Sequence, residues 1–252
     1  AGSGFDARSC NVTRDHIVMA CLSVPGVGHT QEWTIVVGGQ TVSTGLTTSY
    51  RPPSITQIEP ALLETAGGED VTLTGSDFGP VSVNNPVSSV YRNFGLDYLA
   101  GATFVATECA VTVSHTTIVC KSSIGVGRSH QWRTTLGVQT SENSSATTSY
   151  IAARVSAFNA EAVNAPGMST SINEVVTITG TNFGPVSTQN VVSATYEARN
   201  SNRRGLAGST FTAVLCEVTV AHTEMQCESV PGVGHHLEWE LRVGFQPSSD
   251  HV

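Results

Sequence analysis

Apolar and polar positions alternate along most of this chain with a period of two. The runs "TFVATECAVTV" (103–113) and "TTIVCKS" (116–122) flank a short "SHT" turn. Trp33, Ile35 and Val37 alternate with Thr34 and Val36, and Trp239, Leu241 and Val243 form a similar run. Successive side chains of a strand point to opposite faces, so such runs predict half-buried strands. Gly, Asn, Pro and Ser interrupt the runs about every 8–12 residues, the spacing of a β-sandwich. No stretch of helical length carries an apolar stripe. The expected fold is all-β.

The pattern repeats. Cys10–Cys21, Cys109–Cys120 and Cys216–Cys227 share the spacing C-x10-C. Twelve residues beyond each second cysteine stands Trp33, Trp132 or Trp239, and five further on Gly38, Gly137 or Gly244. His16, His115 and His222 lie six residues past the first cysteines. Upstream, "VTLTGSDFGPVS" (71–82) matches "VTITGTNFGPVS" (176–187), and "LAGATF" (99–104) matches "LAGSTF" (206–211). The period is 99 and then 107 residues. Expected units are 1–52, the C-terminal half of one repeat; 53–152, a complete one; and 153–252, one lacking its last strand. The chain reads as a segment of a longer array, because repeat arrays need neighbours or caps.

Each cysteine pair frames a hairpin whose turn lies near the histidine. Strands closed by that turn set the cysteines side by side, within bridging distance. Three local disulfides are expected, which implies an oxidising compartment. The alternative is reduced, buried cysteines that only pack.

Composition narrows the function. Ser and Thr supply 59 of the 252 residues, net charge is −8, and Lys121 is the one lysine. Nucleic-acid binding rests on neutralised phosphates, so this chain is a poor candidate for it. No window approaches the apolar length of a membrane span, and no charged-then-apolar leader opens the chain.

The loops "GVGHTQEW" (26–33), "GVGRSHQW" (125–132) and "GVGHHLEW" (232–239) each offer Gly-x-Gly. They lack the lysine and third glycine of phosphate-binding loops and lead into strands, so they read as exposed bends. Zinc has candidate ligands in the cysteines with His16 and His29, His115 and His130, and His222, His235 and His236. The cysteines are too far apart for an ordinary structural site, and the second histidine changes position between repeats. The reading is no metal and no cofactor, with a histidine at the hairpin turn and polar histidines in the loops. The tryptophans are candidate sugar platforms or core residues; their place on alternating strands favours the core. Carboxylates are scattered, no nucleophile elbow occurs, and a bridged cysteine is no nucleophile. No catalytic residue is assigned. Sequons stand at Asn11 ("NVT") and Asn143 ("NSS"), both candidate N-glycan sites. "RPP" (51–53) reads as a stiff spacer between units.

"SITQIEPALLETAGGEDVTLTGSDFGP" (54–80) resembles the opening of an IPT/TIG domain. Ile55, Ile58, Pro60, Gly67, Gly68, Val71, Leu73, Gly75 and Phe78 carry the likeness. The third repeat departs at its start, lacking that proline and the glycine pair, and keeps "VTITGTNFG". The resemblance implies tandem immunoglobulin-like sandwiches with Phe78 and Phe183 in their cores. The cysteine–histidine–tryptophan variant is similar to arrays in large surface proteins of algae and other flagellates, including flagellar hair (mastigoneme) proteins. It implies an extracellular structural role, with neighbouring Ig-like units, sister chains and N- or O-glycans as partners. A receptor or adhesion stalk of plexin or fibrocystin type is the alternative it leaves open.

Overall fold

A computed structural model describes residues 4–82, 85–93, 103–159, 167–187, 190–198, 210–234 and 237–249. Among these, every regular element is a strand. His235, His236 and most of the two "LAG" motifs lie outside the described residues.

The first segment is two hairpins. β1 (Arg8–Arg14) pairs with β2 (Val18–Leu22), and β3 (Gln31–Val37) with β4 (Gln40–Thr48), all antiparallel. β3 and β4 turn through Gly38 and Gly39, at φ 57° and 78°. Positive φ at both central residues matches the turn to the right-handed twist of the strands.

The second segment closes a sandwich. Its strands are β5 (Ser54–Glu59), β6 (Leu62–Leu63), β7 (Asp70–Ser76), β8 (Val87–Arg92), β9 (Phe104–Val113), β10 (Thr117–Lys121), β11 (His130–Leu136), β12 (Gln139–Thr140) and β13 (Thr147–Tyr150). The order is β5-β7-β10-β9-β8-β11-β13-β6, with β12 on β11. β9 belongs to both layers: residues 104–106 pair with β8, and residues 107–113 with β10.

The third segment repeats the plan in two separate sheets. β14 (Arg154–Phe158), β15 (Val175–Thr181), β19 (Glu224–Glu228) and β18 (Val214–Val220) form one, in that order. β17 (Thr210–Thr212), β16 (Val192–Ala198), β20 (Leu237–Val243) and β21 (Gln246–Pro247) form the other. Ala213 interrupts what is the single strand β9 in the second segment.

Each cysteine hairpin contains a bulge that its alternating sequence conceals. In β9–β10, Val119 faces Ala110 and Lys121 faces Thr107. Cys120 therefore stands opposite two residues, Glu108 and Cys109. Glu108 adopts φ 51°, as do its counterparts Ser9 (51°) and Leu215 (50°). The extra residue shifts the side-chain phase: Phe104 and Ala106 face inward before it, Val111 after it. The shift brings Cys109 over Cys120. The three disulfides Cys10–Cys21, Cys109–Cys120 and Cys216–Cys227 follow, with Cα–Cα distances of 4.1, 4.0 and 4.0 Å.

Two cores result. The second segment's centres on Leu73, Phe78, Tyr91, Ile118, Trp132 and Tyr150, all fully buried. The third's includes Ile178, Phe183, Tyr196, Met225, Trp239 and Leu241. Tyr91 faces Trp132 across strands, their rings stacked 4.1 Å apart, and Tyr196 stacks on Trp239 at 4.4 Å. Trp33 differs from the expectation of a core position: it is half-buried. Residues 4–52 supply no counterpart of β8 to cover it. His130 also differs. It is no loop residue but the first of β11, 4% exposed and ringed by Tyr91, Phe104 and Tyr150.

Candidate functional site

Among the described residues the chemistry-bearing side chains do not converge. Every cysteine sulfur is bound to another sulfur, so none is a metal ligand or a nucleophile. Among the described residues no group of three or more His, Cys, Asp or Glu is placed to hold a metal. What recurs instead is a contact between segments, built on the Gly-x-Gly loops.

The first loop is not an exposed bend. Gly26 and Gly28 are buried, and Val27 packs against the core of the second segment. Val27 sits between two glycines of that segment, Gly79 in the Phe-Gly-Pro loop and Gly137 in the turn between β11 and β12. A Cβ on Gly137 would lie 2.7 Å from Val27 Cγ2, and one on Gly79 would strike Val27 Cγ1. Both glycines have positive φ, 74° and 51°. Glycine is required twice over, by conformation and by the arriving methyls.

Hydrogen bonds lock the plug. Gly28 N–H donates to Gln139 Oε1 at 3.0 Å, and Gln139 Nε2 donates to the Tyr50 carbonyl at 2.9 Å. Tyr50 N–H in turn donates to the Gly28 carbonyl at 2.9 Å. One glutamine side chain thus bridges two backbone groups of the preceding segment.

The second junction repeats the valine seat, and Tyr150 N–H again donates to the carbonyl of the second loop glycine, Gly127, at 2.8 Å. Val126 packs against the third segment's core, between Gly184 and Gly244. A Cβ on Gly244 would fall 2.8 Å from Val126 Cγ2. Asn85 and Asn190 brace the sockets from behind. Asn85 Nδ2 donates to the carbonyls of Phe78 and Pro80 at 3.2 and 3.3 Å, Asn190 Nδ2 to those of Phe183 and Pro185 at 2.8 and 3.0 Å. Asn85 and Ser89 are buried, so the stretch 79–89 is in part interior.

The turn histidines hold the socket loop in place. His115, at φ 68°, donates its N–H to the Gly79 carbonyl at 2.6 Å and accepts from Phe78 N–H at 3.2 Å. His222, at φ 67°, makes the same pair with Gly184 and Phe183 at 2.7 and 3.2 Å. At the second junction its side chain joins in: His222 Nδ1 lies 2.8 Å from the buried Thr65 Oγ1 of the preceding segment. At the first, Asp77 and His115 face a cleft lined by Tyr50 and Arg51.

Buried polar groups in the second core are paired through tyrosine hydroxyls. The hydroxyls of Tyr91 and Tyr150 are 2.7 Å apart; Tyr91 accepts from Ser123 N–H at 2.8 Å and Tyr150 donates to the Ser123 carbonyl at 2.8 Å. Burial pushes both phenols above their ordinary range. Burial drives the His130 imidazole down to about 4. Sequence reasoning passed over Tyr91 and its counterpart Tyr196; their signal is the Tyr in "VYRN" and "TYEA", each paired with a tryptophan across strands. The sequon residues lie apart from all this. Asn143 is exposed in the loop after β12, between buried Ser141 and Ser144, and Asn11 is exposed on β1.

No curated protein matches the chain. A solved structure described as a crystal structure with xylogluco-oligosaccharide is similar at a TM-score of 0.36 and 12% identity, over 98% of this chain and 54% of that one. The chain spans about half the length of that protein, and so loose a superposition bears on neither fold nor ligand here. The family comparison is local: an IPT/TIG domain, an immunoglobulin-like structural or binding module, is found over residues 53–151.

Proposed function

We propose that this chain is a structural stretch of a long extracellular or cell-surface protein, built from tandem IPT/TIG units over 1–52, 53–152 and 153–252, and part of a filament such as a flagellar hair (mastigoneme). The observation that carries the reading is the valine-in-glycine joint, made once by Val27 and again by Val126. A linker alone leaves adjacent domains free to move, whereas a shape-fitted, hydrogen-bonded contact fixes their angle. A chain of such joints transmits force along its axis. The disulfides staple each unit, and their number fits an oxidising compartment. The hydroxyl-rich acidic faces, with Asn143 and Asn11, carry glycans or contact sister chains.

The test is electron microscopy and cross-linking of the native particle. Lateral or longitudinal contacts between chains are expected. Particles that stay monomeric and hold a ligand-binding head away from a membrane would replace the filament with an adhesion or receptor stalk.

A further inference from the structure

Among the described residues, the third Gly-x-Gly loop has the plug without a socket. Val233 is 78% exposed, and Gly234 is exposed where Gly28 and Gly127 are buried. The two docked glycines take φ 106° and 104°; Gly234 takes 157°. Ser229–His235 reads "SVPGVGH", the same seven residues as Ser23–His29, whose valine is seated between Gly79 and Gly137. The base of the loop is also prepared. Val230 packs against the third core, Tyr196 Oη binds Val230 through its N–H at 2.9 Å and its carbonyl at 3.1 Å, and Gly232 fits against the Phe211 ring.

We infer that the loop at 230–234 is an open docking plug whose partner is a further Ig-like unit joined C-terminally and carrying the same socket. Recognition needs a Phe-Gly-Pro loop and a Gly-x-Gln hairpin turn, the chemistry that receives Val27. Two bare glycines admit the valine methyls, and the glutamine amide takes the second glycine's N–H. Surface apolar side chains of this size are common singly, but one on a loop with an anchored base, whose twin is seated in a socket, marks an interface. The inference rests on the tandem-unit reading above.

The test fuses residues 1–246 to a second copy of 140–252, so that a fourth unit, duplicating one already folded here, presents Gly184 and Gly244 to Val233. Hydrogen exchange reads the Gly234 amide. Its protection is expected to rise at least about tenfold, toward that of Gly127, which is buried in the same socket, when the socket is supplied. Val233→Asp in the fusion should abolish that gain and leave Gly28 unchanged. A Gly234 amide that still exchanges freely, with the appended unit's Cys216–Cys227 bridge formed, overturns the inference. A second splice, 1–249 followed by 143–252, carries the same measurement if the first is not recovered. Amide protection and filament assembly are separate readouts, so the joint can fail while the filament stands, or the reverse.

Discussion

Val27 of the first segment fills the space that a side chain on Gly137 of the second would need: the absent Cβ would lie 2.7 Å from Val27 Cγ2. Gly137→Ala should therefore push the plug out. The added methyl and the φ of 51° together are expected to cost about 1–3 kcal/mol. Hydrogen exchange at Gly28 would rise while the second core stays protected. Gly38, the matching position in the first segment, has nothing within 4 Å of an added Cβ. Gly38→Ala should leave both joints intact, and equal loss in the two variants would refute the socket.

The bridges are separable. Replacing Cys109 and Cys120 together by serine should lower the stability of the second segment by about 2–3 kcal/mol, the chain-entropy value for a loop of this size. Non-reducing peptide mapping should then find Cys10–Cys21 and Cys216–Cys227 unchanged. A cross-unit link in the parent chain would contradict the hairpin arrangement.

His130 gives the second segment a pH dependence that Leu237, at the matching place in the third, does not supply. Burial holds the folded imidazole at about 4, below its ordinary 6.5, so between those values the unfolded chain binds more protons. Stability is full above pH 6.5 and falls as pH drops toward 4, by up to about 3 kcal/mol. Chemical denaturation across pH 4–7.5 would show the slope, and His130→Leu should flatten it.

Tyr91→Phe keeps the stack on Trp132 and removes one hydroxyl. Ser123 N–H and the Tyr150 hydroxyl then lose a partner inside the core. A loss of about 1–3 kcal/mol is expected, against little change for an exposed Tyr-to-Phe exchange. Urea unfolding followed by tryptophan fluorescence would measure it.

Asn143→Gln should remove one glycan mass from the secreted protein without loss of folding, since the side chain is exposed. The neighbouring serines behave differently. Ser144 Oγ accepts from Trp132 N–H at 2.8 Å and Ser141 Oγ from Thr134 N–H at 3.1 Å, in place of a strand partner. Ser144→Ala should leave a buried strand N–H unpaired and destabilise by about 1–2 kcal/mol, measurable by thermal denaturation.

Alternation and turn residues, both local, were enough to read an all-β chain, its repeat and its disulfide hairpins. Trp132 and Trp239 carried their burial in the sequence, because each sits on an alternating run, whereas Phe78 and Phe183 were placed inside by the IPT/TIG resemblance. Three things depended on what faces what. Trp33 lies on the same run as its copies yet stays half-buried, because burial needs an opposing strand. His130 looked like a drifting loop histidine until three aromatic rings closed over it. The loop 26–28 read as an exposed bend, since Gly-Val-Gly promises only backbone freedom. Its packing against Gly79 and Gly137 joins residues more than fifty positions apart. Sequence fixes which positions must be small; only the tertiary structure decides what arrives to fill the space.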